Sequence, residues 1–217
     1  MGQGSRCAEP RCLAACREQL ADGGERRVLG ITGAPGAGKS PLAQQLTEAL
    51  GDRAVLVGLD SFHLSNAELN RLGRYARKGA ADTFDAAGYQ SLLRRLRPQT
   101  DEIVYAAEFD RSLEESIACA VPVRRETSLV VTEGNYLLAD DDRWRATAGL
   151  IDEVWYVDPG EDVRMDRLIA RHVRFGRSEQ EAYARSHGSD QRNAELIAST
   201  RPRADRIVQI VTEKELA

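Results

Sequence analysis

Short apolar runs alternate along the chain with longer segments in which apolar residues recur at helical spacing. The short runs are nearly continuous, which is typical of strands covered on both faces in a parallel sheet. They predict strands at residues 28–32, 54–59, 103–106, 129–132, 153–157 and 207–211. The longer segments predict helices at residues 39–50, 66–74, 87–97, 139–147, 163–175 and 178–196, the last of them interrupted near Gly188. This alternation predicts an α/β fold, a doubly wound and mostly parallel sheet of five or six strands flanked by helices, with ligands at the carboxyl ends of the strands.

The residues before the first predicted strand predict a separate amphipathic helix. Leu13, Cys16 and Leu20 share one stripe of this helix, and Gly23-Gly24 ends it. Because 217 residues suit one domain with a small appendage, the predicted division is an N-terminal helix at residues 1–24 and a main domain at residues 25–217. The cysteines near the start are spaced by five and four residues rather than as a CxxC pair, so they do not predict a metal site.

Charge and hydropathy exclude two kinds of partner. The chain has 34 acidic and 30 basic residues, a balance that argues against a protein that binds nucleic acid by neutralising phosphates. No apolar run approaches the ~18–20 residues that span a bilayer, and the first residues lack the apolar core of a secretory signal. We therefore expect a cytoplasmic protein without nucleic acid or membrane as partner, and a homodimer is left open.

A glycine-rich loop follows the first predicted strand and precedes a predicted helix. The residues Gly33, Ala34, Pro35, Gly36, Ala37, Gly38, Lys39 and Ser40 match the pattern GxxxxGK[ST]. Such a loop turns its backbone N–H groups toward the phosphates of a nucleotide, while the lysine meets the β- and γ-phosphates and the hydroxyl binds Mg²⁺. Pro41 fits the first turn of the helix, where no N–H donor is needed. The pattern predicts a P-loop NTPase fold that binds a nucleoside triphosphate and Mg²⁺.

Two carboxylates follow later strands of the predicted sheet. Asp60, in the segment Asp60-Ser61-Phe62-His63, is placed to accept a proton from a substrate hydroxyl, with a helix N-cap as the alternative role. Glu133, in the segment Glu133-Gly134-Asn135-Tyr136, is placed to reach Mg²⁺ through water or to hold an acceptor hydroxyl. Hydrolysis, switching and phosphoryl transfer to a metabolite all use such a loop, and a purely structural role remains the alternative for Glu133.

The phosphate loop and the DSFH segment resemble the uridine kinase, phosphoribulokinase and bacterial pantothenate kinase family, and within it the short bacterial fructose-type or nucleoside kinase-like branch. The resemblance implies that Asp60 is the base or substrate anchor and that Phe62 and His63 line the acceptor pocket. It also matches residues 77–85, 108–111 and 190–194. These matches imply that Lys78, Asp85, Arg111, Asn135 and Asn193 bind substrate. The alternative is a local cap for Asp85 and a solvated loop for Lys78, and it is a local cap or turn for Arg111 and Asn193.

A run of arginines between residues 164 and 177 matches the family's helical lid, predicted at about residues 164–190. The resemblance implies that Arg171 acts on the transferring phosphoryl group and that Arg174 contacts substrate. We therefore predict an ATP- and Mg²⁺-dependent kinase in which Asp60, Lys39 and Arg171 are catalytic and Ser40 and Glu133 hold the metal. The predicted acceptor is a hydroxyl of a small metabolite, a sugar or a nucleoside. A pantothenate kinase-like activity and a nucleotide-responsive regulatory ATPase are the alternatives.

Overall fold

The computed structural model describes residues 9–21 and 25–209, which form seven strands and eight helices. The strands are β1 (Arg27–Thr32), β2 (Ala54–Leu56), β3 (Ile103–Asp110), β4 (Glu115–Arg124), β5 (Leu129–Glu133), β6 (Glu153–Val157) and β7 (Arg206–Val208). The helices are α1 (Glu9–Ala21), α2 (Lys39–Leu50), α3 (Asn66–Arg71), α4 (Ala86–Leu96), α5 (Arg145–Ala148), α6 (Glu161–Arg174), α7 (Glu179–His187) and α8 (Ser189–Ser199).

A five-stranded parallel sheet lies at the centre, in the order β2-β5-β1-β6-β7. Side chains of successive residues face opposite sides of a strand, so β1 contributes to two cores. Val28 belongs to the core that also contains Tyr89 and Trp144. Leu29 belongs to the core on the other side, where α1 and α2 pack. The predicted doubly wound α/β fold, with strands covered on both faces, is confirmed.

The predicted strand at residues 103–106 exists, but its expected place in the central sheet is wrong. It is part of β3, which pairs antiparallel with β4 in a separate hairpin. The side chain of Tyr105 is 54% exposed, as suits a strand with one solvated face. No strand was predicted at β4 because its small residues and Pro122 weaken the strand pattern.

Other boundaries differ by a few residues or by a turn. β2 ends at Leu56, and residues Leu59–Phe62 form a 3₁₀ turn instead of continuing the strand. The predicted helix at residues 139–147 is reduced to α5 because Asp141 closes a turn by accepting backbone N–H groups from Arg143 and Trp144. The predicted break at Gly188 is confirmed, since it separates α7 from α8.

Some sequence predictions fall outside the described residues, namely those on Cys7, Gly23, Gly24, the side chain of Leu20 and residues 210–211. Within the described part of the chain, no helix combines the length and apolar character that a bilayer crossing requires. The division into residues 1–24 and 25–217 stays a prediction.

Candidate active site

The phosphate loop joins the carboxyl end of β1 to the first residue of α2. Gly36 and Gly38 have φ values of +87° and +97°, a region that favours glycine. The buried Lys39 side chain is held inside the loop, where its Nζ donates to the carbonyl oxygens of Gly33 at 2.9 Å and Ala34 at 3.2 Å. Burial lowers the pKa of Lys39 to about 8, although the charges of Glu133 and Asp60 oppose that shift. The loop therefore presents a preformed cavity with one compact cation at its centre.

Glu133 ends β5 directly beside the loop. It is buried, and the Ser40 hydroxyl donates to its Oε1 at 3.1 Å. Burial and then repulsion from Asp60 raise the pKa of Glu133, while Lys39 acts in the opposite direction. A hydroxyl and a carboxylate are hard oxygen ligands, and Mg²⁺ usually adds waters and substrate phosphates to one or two protein groups. The residues present therefore fit a magnesium ion brought in with a nucleotide.

Asp60 lies on the 3₁₀ turn after β2, and its carboxylate forms an ion pair with Arg111 from the turn of the β3–β4 hairpin. Its carbonyl oxygen accepts a hydrogen bond from Nδ1 of His63 at 2.8 Å. Burial alone would raise the pKa of Asp60, but Arg111, followed by His63 and Arg171, outweighs burial and lowers it. The alternative role of a helix N-cap does not apply, because Ser65 caps the next helix. Asp60 is an ionised carboxylate facing the phosphate loop.

A cleft of about 610 Å³ brings most of the predicted residues together. The predicted residues that line it are Pro35, Lys39, Ser40, Asp60, His63, Lys78, Arg111, Glu133, Asn135, Arg171 and Asn193. The loop residues Ala34 and Ala37 line a second, smaller cavity of about 230 Å³, which also includes Tyr156 and Arg201. Different residues of the phosphate loop therefore line the two cavities.

Three predicted substrate ligands are placed elsewhere. Phe62 packs against Tyr89 with ring centroids 5.3 Å apart, and it does not line the cleft. Asp85 is exposed and accepts the Gly88 N–H at 2.9 Å, so it caps α4, which is the alternative that the sequence left open. Arg174 lies on an exposed part of α6 outside the lining of the cleft.

Lys78 forms part of the wall of the cleft. Its Nζ donates to the side-chain oxygen of Asn66 at 2.8 Å and to the carbonyl oxygen of Glu114. It also lies 5.2 Å from the centroid of the Phe109 ring, and the Arg111 guanidinium lies at the same distance from that ring. Lys78 therefore lies in the wall of the cleft and not in a solvated loop, and its binding of substrate stays a prediction.

Sequence reasoning missed the contacts that hold α6 against the phosphate loop. Arg164 is buried and donates to the carbonyl oxygen of Pro35 at 3.1 Å, to Glu161 and to Gln191. The helix is so close that a Cβ on Gly36 would lie 2.5 Å from the carbonyl oxygen of Arg164. Helical spacing separates Arg164 from Arg171 by seven residues, about two turns, a signal that places both on one face but does not say which is buried.

Comparison with known proteins identifies a family model and relatives that are similar to this chain in sequence. A family model described as "Phosphoribulokinase / Uridine kinase family" matches residues 28–217. A protein of Schizosaccharomyces pombe named "Putative uridine kinase" is 30% identical over 196 residues, which cover 85% of this chain and 83% of that protein. A pantothenate kinase of Nocardioides sp. is 28% identical over 159 residues, which cover 68% of this chain and 48% of that protein.

A crystal structure described as a "putative fructose transport system kinase" from Silicibacter sp. TM1040 superimposes with a TM-score of 0.81. It is 35% identical and covers 93% of this chain and 98% of that one. The similarity therefore extends over the sheet, the hairpin and the helices that cover the cleft.

Proposed function

Because the chain belongs to the phosphoribulokinase and uridine kinase family and is a small-molecule kinase, we propose that it transfers the γ-phosphoryl group of ATP, with Mg²⁺, to a hydroxyl of a sugar or a nucleoside. The observation that carries this proposal is the position of Asp60. Its ionised carboxylate lines the same cleft as Lys39, Ser40, Glu133 and Arg171. A hydroxyl bound at Asp60 therefore faces the γ-phosphate of a nucleotide bound in the loop.

The loop side of the cleft stabilises charge. The backbone N–H groups of the loop and the Lys39 ammonium bind the β- and γ-phosphates, and Arg171 meets the transferring group from α6. Ser40 and Glu133 would hold Mg²⁺, which neutralises charge on the phosphate oxygens when bound. The smaller cavity beside Ala34 and Ala37 is proposed for the nucleotide base.

The acceptor side of the cleft orients the hydroxyl. Asp60 accepts the hydroxyl proton while His63, Asn135 and Arg111 surround the acceptor. Burial is the largest influence on His63 and lowers its pKa, while the neighbouring Asp60 carboxylate opposes that shift. Residues 164–190 are proposed as a lid that excludes water, so that the phosphoryl group reaches the acceptor and not solvent.

The test is phosphate transfer from ATP to a panel of hexoses, pentoses, nucleosides and pantothenate, with Asp60→Asn compared to the wild-type chain. We expect Asp60→Asn to reduce transfer about 10²- to 10⁴-fold while ATP still binds. Asp52→Asn is the matched control, since Asp52 is exposed in the turn after α2. A panel in which no hydroxyl compound gains phosphate would contradict the proposal. Slow ATP hydrolysis that Asp60→Asn leaves unchanged would favour the regulatory ATPase instead.

A pantothenate-like acceptor is the second candidate function. The observation that favours it is the match to the pantothenate kinase of Nocardioides sp.. The match covers only 48% of that protein, so its acceptor is carried over to this chain only as a candidate. Transfer to pantothenate, and to no sugar or nucleoside, would select this candidate.

A further inference from the structure

Two cations that line the large cleft, Arg111 and Lys78, each form an ion pair with a carboxylate. Arg111 pairs with Asp60, and Lys78 is held by Asn66 and Glu114. These side chains are fixed before any ligand arrives, so their charges are largely balanced within the protein.

Three arginines of the proposed lid differ from Arg111 and Lys78 in their ion pairing. Within residues 9–21 and 25–209, Arg171, Arg177 and Arg185 line the cleft and form no ion pair with a carboxylate. Arg171 is already assigned to the transferring phosphoryl group. Of the two others, Arg177 interacts with Glu181, whose pKa it lowers, so Arg185 is the one to examine.

Arg185 carries the most specific evidence. It projects from α7, and its Nε is buried without a hydrogen-bond partner. One terminal nitrogen donates to the carbonyl oxygen of Lys78 at 3.3 Å, a long contact. A buried guanidinium N–H that lacks an acceptor is costly unless a ligand supplies one. The guanidinium presents its donors in a planar fork that matches carboxylate and phosphate oxygens.

The contacts of Arg185 place it on the acceptor side of the cleft. Starting at Asp60, the wall continues through Arg111 to the Phe109 ring and then to Lys78, whose carbonyl oxygen meets Arg185. A neighbouring helix adds Asn193, whose amide nitrogen lies 3.5 Å from the carbonyl oxygen of Gly79. An acceptor with its hydroxyl at Asp60 extends along this wall toward Arg185.

We propose that the acceptor carries a negatively charged group, a carboxylate or a phosphate monoester, which Arg185 binds at the end of the cleft remote from the reacting hydroxyl. This inference rests on the proposed function and narrows it. A neutral sugar or nucleoside leaves the Arg185 charge unbalanced, whereas an anionic one completes it. Arg185 is then a specificity-determining residue and not a part of the phosphate chemistry.

The first experiment compares acceptors in matched pairs that differ in the anionic group. Glucose is compared with glucuronate and panthenol with pantothenate for the carboxylate, and ribose with ribose 5-phosphate for the phosphate monoester. We expect kcat/KM to be about 10- to 100-fold higher for the anionic member of the accepted pair. The pair that shows the preference identifies which anion is bound. Equal kcat/KM for neutral and anionic members overturns the inference and leaves the kinase function standing, whereas no transfer to any member contradicts the proposed function itself.

The second experiment uses Arg185 variants with the preferred acceptor. Arg185→Gln is expected to raise the KM of the anionic acceptor about 10- to 100-fold and to leave the KM of ATP and the kcat for the neutral partner unchanged. Arg185→Lys restores part of the acceptor affinity because it keeps the charge. Arg192→Gln, an exposed arginine on α8, is the matched control. A merely structural role for Arg185 would lower activity equally with neutral and anionic acceptors, and that result overturns the inference.

Discussion

Gly36 is the point where α6 meets the phosphate loop, and Gly36→Ala tests that contact. Its φ is +87°, and an added Cβ would lie 2.5 Å from the carbonyl oxygen of Arg164 and 3.0 Å from the Cβ of Leu168. Both obstacles are close to the helix backbone, so no side-chain rotation relieves them. The methyl group must therefore push the loop and α6 apart.

The expected loss of unfolding free energy in Gly36→Ala has two parts. The left-handed φ costs about 1–2 kcal/mol for a residue with a Cβ, and overpacking adds about 1–3 kcal/mol. Since ordinary C···O contacts lie at about 3.3–3.6 Å, the separation must grow by about 1 Å. A displacement of that size at a catalytic centre costs on the order of 10²-fold in rate. Gly51→Ala, at the other end of α2, is the matched control, because Gly51 has a φ of +59° and nothing within 4 Å of an added Cβ.

The assay measures the free energy of unfolding by chemical denaturation and ATP affinity by titration of both variants. We expect Gly51→Ala to lose only the backbone part of the free energy and to bind ATP as the wild type does. Gly36→Ala should lose about 2–5 kcal/mol and bind ATP at least about tenfold more weakly, since its loop is displaced. If both glycine variants lose the same free energy and bind ATP equally well, α6 does not pack on the loop as described.

The other predictions concern charge, metal and packing. Because the pKa of Lys39 is about 8 in the free chain and a nucleotide favours its charged form, ATP affinity should fall about tenfold between pH 7 and pH 9; a dissociation constant that does not change over this range contradicts the assignment. Glu133→Gln should raise the Mg²⁺ concentration that gives half-maximal activity about 10- to 100-fold, and an unchanged Mg²⁺ dependence would remove Glu133 from the metal site. Tyr89→Phe removes a buried hydrogen bond of 2.7 Å to the Thr132 hydroxyl and should cost about 1–2 kcal/mol of unfolding free energy; Tyr105→Phe, at an exposed position, should change it by less than about 0.5 kcal/mol, and equal losses would refute the role of the bond.

The central sheet and the phosphate loop could be predicted from sequence because their signals are local. β1 and β5 are continuous apolar runs, and each is buried on both faces. The phosphate loop closes its own lysine contacts within six residues, since Lys39 bonds to the carbonyl oxygens of Gly33 and Ala34. A pattern of adjacent residues is therefore enough to predict the loop and the position of its lysine.

The acceptor side could not be predicted in the same way because its contacts join distant parts of the chain. Arg111 is 51 residues from Asp60, and Arg185 is 107 residues from the Lys78 carbonyl that it meets. The hairpin that delivers Arg111 is half-solvated, so its apolar pattern is weak and its second strand was missed. Asp85 is a case in which a local contact replaces an expected long-range one. Its motif match suggested a substrate ligand, but in the structure its carboxylate accepts the Gly88 N–H and caps α4.

The two ends of the cleft therefore have separate structural origins, and this separation has a consequence for the chemistry. In the proposed function, the loop, the sheet and Arg171 on α6 form the phosphate end, whereas the hairpin and Arg185 on α7 form the acceptor end. Asp60 belongs to both, because its carboxylate faces the loop while its ion pair with Arg111 ties it to the hairpin. Arg111 keeps the pKa of Asp60 below its ordinary value, so the carboxylate is ionised but a weak base. Without Arg111 as its partner, Asp60 would be governed by burial, which raises its pKa and makes the carboxylate a stronger base.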